Sequence, residues 1–233
     1  NENVLNYSKV FKRKHNFSAM AAATFQGNYS NYFRNDVQNI SHEDLGMAGM
    51  DNGIPILSES TIGENMLMSY LARVNYNFAD RYLLTATFRA DGSSKFDKDH
   101  RFGYFPSFSA AWRISQEKFM KNLTWISDLK LRGSWGMLGN SNISPYQYQS
   151  TVNFAQMWYY LNDSKVTGAL PTTPANPDVK WETQYSTDLG LDLSVLDSRL
   201  LFTVDYYYKK TKDMLIQVPI SFSAGYMGNF PTL

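Results

Sequence analysis

The sequence predicts an all-β fold: an antiparallel transmembrane β-barrel segment of about 8–9 strands. Three observations predict it. Apolar and polar residues alternate with period two over runs of about 9–14 residues, longer than the ~5–6 residues of an ordinary globular strand. Aromatic residues make up 15% of the 233-residue chain and charged residues 18%, whereas a soluble domain carries about 25% charge. Connections between the runs alternate between short and long, as barrels with short periplasmic turns and long outer loops require.

The elements follow in order. A weakly patterned first strand is expected around Val4–Phe11, ended by the basic turn Lys12-Arg13-Lys14. Phe17, Ala19, Ala21, Ala23 and Phe25 then form an apolar face opposite Ser18, Met20, Ala22 and Thr24. Residues 27–63 read as a long loop. Tyr70, Ala72, Val74, Tyr76 and Phe78 oppose Leu71, Arg73, Asn75 and Asn77. After the short turn at 79–81, Tyr82, Leu84, Ala86, Phe88 and Ala90 oppose Leu83, Thr85, Thr87 and Arg89, which makes a β-hairpin.

Beyond a medium connection at 92–101, Tyr104, Pro106, Phe108, Ala110, Trp112 and Ile114 face away from Ser107, Ser109 and Arg113. Pro106 lacks a ladder donor and calls for a bulge or an edge at that point. A second medium connection, 115–127, leads to Leu129, Leu131, Gly133, Trp135 and Met137 opposite Lys130, Arg132 and Ser134. A long loop at 139–179 precedes a run from Trp181 to Leu193 that alternates with Glu182, Gln184, Ser186, Asp188 and Asp192. After the short turn 195–198, Leu200, Phe202, Val204, Tyr206 and Tyr208 oppose Thr203, Asp205 and Tyr207.

Strand length and aromatic placement fit a membrane wall. About ten tilted residues at ~3.3 Å each cross a bilayer core. Tyr76, Phe78, Tyr82 and Trp112 sit at the short-turn ends, and Tyr206 and Tyr208 at the opposite end, as interfacial belts require. Mean hydropathy is −0.39 and no apolar run approaches the roughly 18 residues of a membrane helix, a test to which alternating strands are blind. A soluble sandwich with these rings as core is the alternative reading.

Charge and motifs exclude other classes. A net charge of +1 and a pI near 8.0 leave no footprint for nucleic acid, and Lys12-Arg13-Lys14 reads as a solvated turn. There are no cysteines, hence no disulfide, thiolate metal site or thiol nucleophile. His15, His42 and His100 match no metal-ligand spacing. Asp91-Gly92-Ser93-Ser94-Lys95 lacks the acidic positions of a calcium loop and reads as a tight turn. With no nucleophile elbow, phosphate loop or dinucleotide fingerprint, the chain is read as non-enzymatic, without catalytic residues, cofactor or metal. Arg73, Arg89, Arg113, Lys130, Arg132, Asp188, Asp192 and Asp205 are expected to neutralise one another on the lumen side. Trp158, Tyr159 and Tyr160 in the second long loop are weak candidates for substrate binding by stacking, with loop packing as the alternative.

Five blocks in order carry a family resemblance. They are Arg81 to Phe96 (RYLLTATFRADGSSKF), Arg101 to Ile114 (RFGYFPSFSAAWRI), Asp128 to Gly136 with Gly139-Asn140, Asn176-Pro177 with Lys180-Trp181-Glu182, and Asp205-Tyr206-Tyr207 with Thr211 to Leu215. This segment, roughly 65–220, resembles the SusC/RagA family of TonB-linked outer-membrane proteins. The resemblance implies a multi-pass bacterial outer-membrane barrel of 22 strands and a SusD-like surface lipoprotein as partner. It also implies TonB engagement through a plug domain, and oligosaccharides or peptides as substrate. Asn1-Glu2-Asn3-Val4 shows no signal segment, and Phe230-Pro231-Thr232-Leu233 reads as mid-loop. Residues 1–233 are thus expected to be one partial barrel domain without plug, first strands or C-terminal strands. A passive porin-like or adhesin barrel, and a soluble β-rich binding module, stay open as alternatives.

Overall fold

The structure is a computed structural model that describes residues 1–154, 158–219 and 221–226. Its strands are β1 (Glu2–Phe11), β2 (His15–Gln38), β3 (Ile54–Phe78), β4 (Tyr82–Ser93), β5 (Phe102–Arg113) and β6 (Ile126–Asn140). Then come the short β7 (Val152–Asn153), β8 (Trp158–Leu161), β9 (Ser164–Thr167) and β10 (Leu170–Pro171), followed by β11 (Glu182–Val195) and β12 (Leu200–Lys212). Eight of them form one sheet in the order β1-β2-β3-β4-β5-β6-β11-β12, while β7–β10 and β8–β9 make separate two-stranded ribbons. This is the antiparallel meander the alternation predicts. The expectation for Phe230–Leu233 lies outside the described residues.

Tight turns set the register at one end of the sheet. Lys12 and Arg13 (φ 48° and 57°) and Ala79 and Asp80 (φ 55° and 54°) are consecutive left-handed residues, the turn geometry whose twist matches flanking strands. Without glycine that geometry is strained, and at the second turn side chains offset the cost. The Asp80 N–H donates to Asn77 Oδ1 (3.1 Å), and Asn77 Nδ2 donates to the Asp80 carboxylate (2.6 Å). The resulting registers put Phe78 opposite Tyr82, and Tyr82 opposite Trp112.

The chain divides into two compact units, Gly27–Met66 and the remainder. In the remainder, the eight-stranded sheet has two unlike faces. Val74, Phe88, Phe108, Leu189, Phe202 and Val204 all lie exposed on one of them, Val204 at 65%. Arg73, Thr87, Arg132, Asp192 and Asp205 occupy the other, which the registers join into continuous rows. Among the described residues no second layer covers the apolar face, so the soluble sandwich does not describe the fold. Contiguous exposed apolar surface of this extent marks contact with membrane or protein.

The buried hydrophobic cluster lies at the long-loop end. Phe96 (0% exposed), Phe105, Ile143, Val179 and Trp181 pack together, with Leu67, Met137 and Leu215 against them. Met137, which alternation assigns to the outer face beside Trp135, joins this cluster instead. The β5–β6 ladder stops at Ser107↔Gly136 while β6 stays paired with β11 to Asn140, so Met137 has no β5 residue registered beside it where it meets the cluster. The same ending accommodates Pro106: it pairs with Phe88 of β4 but has no β6 partner, and its missing N–H falls where that ladder has closed.

In the unit Gly27–Met66, much of the sequence read as a loop is strand. β2 continues to Gln38 and β3 begins at Ile54, and Ser30 Oγ donates to the Gly63 carbonyl (3.3 Å). Between them Glu43–Asn52 is 3₁₀-helical, kinked at Gly46 (φ 51°). Gly53 closes the segment, where an added Cβ would lie 3.0 Å from the Gln38 carbonyl.

Candidate functional site

The lumen-type face is built around Arg132. β6 presents it opposite Gly190 of β11, which in turn faces Asp205 of β12. Because Gly190 has no side chain, the guanidinium lies across it to Asp205 (Nη2–Oδ1 2.7 Å) while Nε meets Asp192 (3.1 Å) and Nη1 lies 3.8 Å from Asp188. Lys130 adds a contact to Asp192 at 3.8 Å, and Thr203 donates to the same carboxylate at 3.2 Å. Arg113 reaches Asp128 at 3.4 Å. Arg73 instead donates to Thr87 Oγ1 at 3.3 Å. Most of the charges read from the sequence are therefore mutually neutralised, as anticipated.

Nearer the loops, the same face holds a cavity of about 590 Å³. Its floor carries Arg73, Thr87, Ser107 and the Arg89–Asp91 pair (2.7 Å), and its rim Lys95, Asn140 and Asn142. Phe105 and Trp181 form an apolar wall, their rings 5.5 Å apart and T-shaped. Phe105 fits because Gly103 and Gly139 leave the space its ring occupies. Trp181 is anchored by its indole N–H donating to the Arg101 carbonyl at 2.8 Å. Cations, amides and hydroxyls around an apolar wall suit a polar, hydrogen-bonding ligand. Lys95, Asn140 and Asn142 escaped the sequence reading because they lie in or beside loops, outside the alternating runs. The turn expected at Asp91–Lys95 begins only after Ser93, where β4 ends.

Trp158, Tyr159 and Tyr160 do not form one cluster. They stand on β8 of an exposed hairpin whose turn is Asn162-Asp163 (φ 48° and 57°), so successive rings point to opposite faces. Trp158 carries the Lys165 ammonium 3.4 Å from its ring centroid, a cation–π contact. Tyr159 packs over Gly168, and Tyr160 is 74% exposed. Among the described residues no group of His, Asp or Glu, His15, His42 and His100 included, has a metal-binding arrangement.

At the short-turn end of the apolar face the rings form a row. His15 and Phe78 (4.8 Å), Phe78 and Tyr82 (6.2 Å), and Tyr82 and Trp112 (6.4 Å) follow one another across four strands. Glu117, in the connection after β5, gathers the row's polar ends: it accepts from the Tyr82 hydroxyl (2.7 Å), the Trp112 indole N–H (3.2 Å) and Arg81 (3.4 Å). The Tyr82 bond, then the Trp112 bond, then the Arg81 charge hold its carboxyl below the usual value. Rings toward the apolar side and polar tips at the end match a membrane–water interface.

An antiparallel meander with one apolar, belted face and one face of paired charge defines the wall of a transmembrane β-barrel. The family model of the TonB dependent receptor-like β-barrel matches residues 3–231, and the chain belongs to this family. It is similar to TonB-dependent receptor P26 of Formosa agariphila, 35% identical over 229 residues that make up 97% of this chain and 23% of that protein. TonB-dependent receptor SusC of Bacteroides thetaiotaomicron is 40% identical over 159 residues, 67% of this chain and 16% of SusC. The structure of the RagAB peptide transporter superposes with a TM-score of 0.84 at 27% identity, covering 99% of this chain and 25% of that one. The SusC/RagA resemblance is thereby borne out. The chain spans about a quarter, or less, of the length of the relatives it matches.

Proposed function

We propose that residues 1–233 form part of the outer-membrane barrel of a SusC-like, TonB-dependent importer of oligosaccharides or peptides. The observation that carries this reading is the two-faced sheet, apolar rings outward and paired charges inward. In this reading the short turns lie in the periplasm and the ribbon-bearing segment after β6 lies outside the cell. The chain serves as passive wall, and its inner cavity lines the substrate path. The plug, and the contact with TonB, belong to the length of the relatives that this chain does not span. A SusD-like lipoprotein meets the outer loops, and Trp158 with Tyr160 offers the substrate an aromatic face. The likeness to a peptide transporter supports the peptide arm of the substrate class, and the exposed rings support the oligosaccharide arm.

The test is uptake by cells that carry the parent protein, using labelled oligosaccharides and peptides in strains with and without TonB. Import that requires both the parent gene and TonB supports the reading. Import that persists without TonB overturns it in favour of a passive channel.

A further inference from the structure

The basic turn Lys12-Arg13-Lys14 is unlike the other short turns. Those balance their charge within the turn, Asp80 beside Arg81 and Asp197 beside Arg199. Among the described residues, neither Lys9 nor any of Lys12, Arg13 and Lys14 makes an ion pair. Lys9 pairs with Phe17 in the β1–β2 register and so stands on the apolar face, its ammonium 5.0 Å from the Phe11 ring centroid. A lysine on a lipid-facing position is tolerated close to the interface, where its stem lies along apolar surface and its head reaches the headgroups.

Beside these cations the apolar face is concave. A groove of about 450 Å³ is lined by Tyr7, Phe11, Lys12, His15, Phe17 and Tyr76. All but Lys12 project from outward-facing positions, and Lys12 stands at the rim. Its lining side chains contact one another: Tyr7 and Phe17 meet edge-on at 6.3 Å, and His15 Nδ1 lies 2.8 Å from the Tyr76 hydroxyl. The turn itself is fixed to its neighbour, with the Ala79 N–H donating to the Lys14 carbonyl at 2.6 Å.

We propose that turn and groove together bind one anionic phospholipid of the leaflet facing the short turns. Its phosphate sits at Lys12 within the field of Lys9, Arg13 and Lys14, and an acyl chain lies along the aromatic groove. Charge complementarity selects the headgroup, and the lipid-side opening of the groove selects an acyl chain over a soluble phosphate or an acidic protein. The inference rests on the reading of the sheet as a membrane wall.

The experiment is native mass spectrometry of the parent protein in mild detergent, titrated with phosphatidylglycerol and, separately, phosphatidylcholine of the same chain length. Phosphatidylglycerol is expected to be retained preferentially. Lys12→Gln should weaken it roughly fivefold, the effect of one basic residue at a lipid surface. The quadruple Lys9, Lys12, Arg13 and Lys14→Gln variant should abolish the preference. Lys12→Arg should keep it, and Lys165→Gln should leave it unchanged. Equal retention of both lipids, a preference that survives the quadruple variant, or displacement by glycerol phosphate would overturn the site. Retention of no phospholipid at all would overturn the wall reading as well, so the two failures are distinguishable.

Discussion

Arg132 and Asp205 meet at 2.7 Å across the top of Gly190, although their strands, β6 and β12, are not neighbours in the sheet. The glycine between them is what allows this. A Cβ there would lie 2.5 Å from Asp205 Oδ1 and 2.6 Å from Arg132 Cζ. Gly190→Ala is therefore expected to push the guanidinium aside and lower the thermal midpoint of the parent protein in detergent by a small amount. In an Arg132→Ala background, where only the Asp205 carboxylate crowds the methyl, the alanine should cost less. An equal loss in both backgrounds would show that Gly190 serves the backbone and not the bridge.

Glu117 gives the interface a pH dependence of definite sign. Its carboxyl is held below the ordinary carboxylate value, first by the Tyr82 hydroxyl. A depressed folded-state value means the contribution is complete above the ordinary carboxylate range and is lost as pH falls through the folded value. An acid titration of thermal stability should show this decline in the wild type and a flatter profile in Glu117→Gln. Identical profiles would contradict the assignment.

The cluster at the loop end should behave as a small core of its own. Phe105→Ala empties the space between Trp181 and Gly139 and is expected to cost about 3–5 kcal/mol locally. Gly139→Ala should cost about 1–3 kcal/mol by driving a methyl into the Phe105 ring. Limited proteolysis reads both: cleavage should accelerate within 94–101 and 141–181 while the strands stay protected. Unchanged cleavage would mean the loops are held by something else.

The β8–β9 hairpin separates its aromatics by face, and the proposed substrate role inherits that separation. Under that proposal, Trp158→Ala and Tyr160→Ala should each weaken substrate binding by the parent protein several-fold. Tyr159→Ala, whose ring covers Gly168, should leave binding intact and loosen the hairpin. Equal loss from all three would assign the effect to hairpin stability alone.

Strands inside the membrane wall were legible because alternation there is enforced by two different solvents. Tyr70 to Phe78 and Leu200 to Tyr208 show it plainly. The outer parts of β2 and β3 were not legible: residues 27–38 (GNYSNYFRNDVQ) are exposed along most of their length and lose the period-two signal. The charges of the inner face could be listed from sequence, but not their partners. The Arg132–Asp205 contact depends on two registers and a glycine between them. The loop-end cavity was hidden for a related reason, since Phe105 faces inward between Tyr104 and Pro106 and its cluster partners Ile143 and Val179 come from loops.

The most direct test of the account is a single-cysteine scan of β11 and β12, in a chain that has no cysteine of its own. Fluorophores placed one at a time at 186–193 and 201–206 in the parent protein, reconstituted into bilayers, would be exposed to a lipid-borne and an aqueous quencher. Labels at Leu189, Leu191, Phe202 and Val204 are expected to respond to the lipid quencher, and those at Ser186, Asp188, Thr203 and Asp205 to the aqueous one. Equal access of both quenchers to the two sets would contradict a membrane wall.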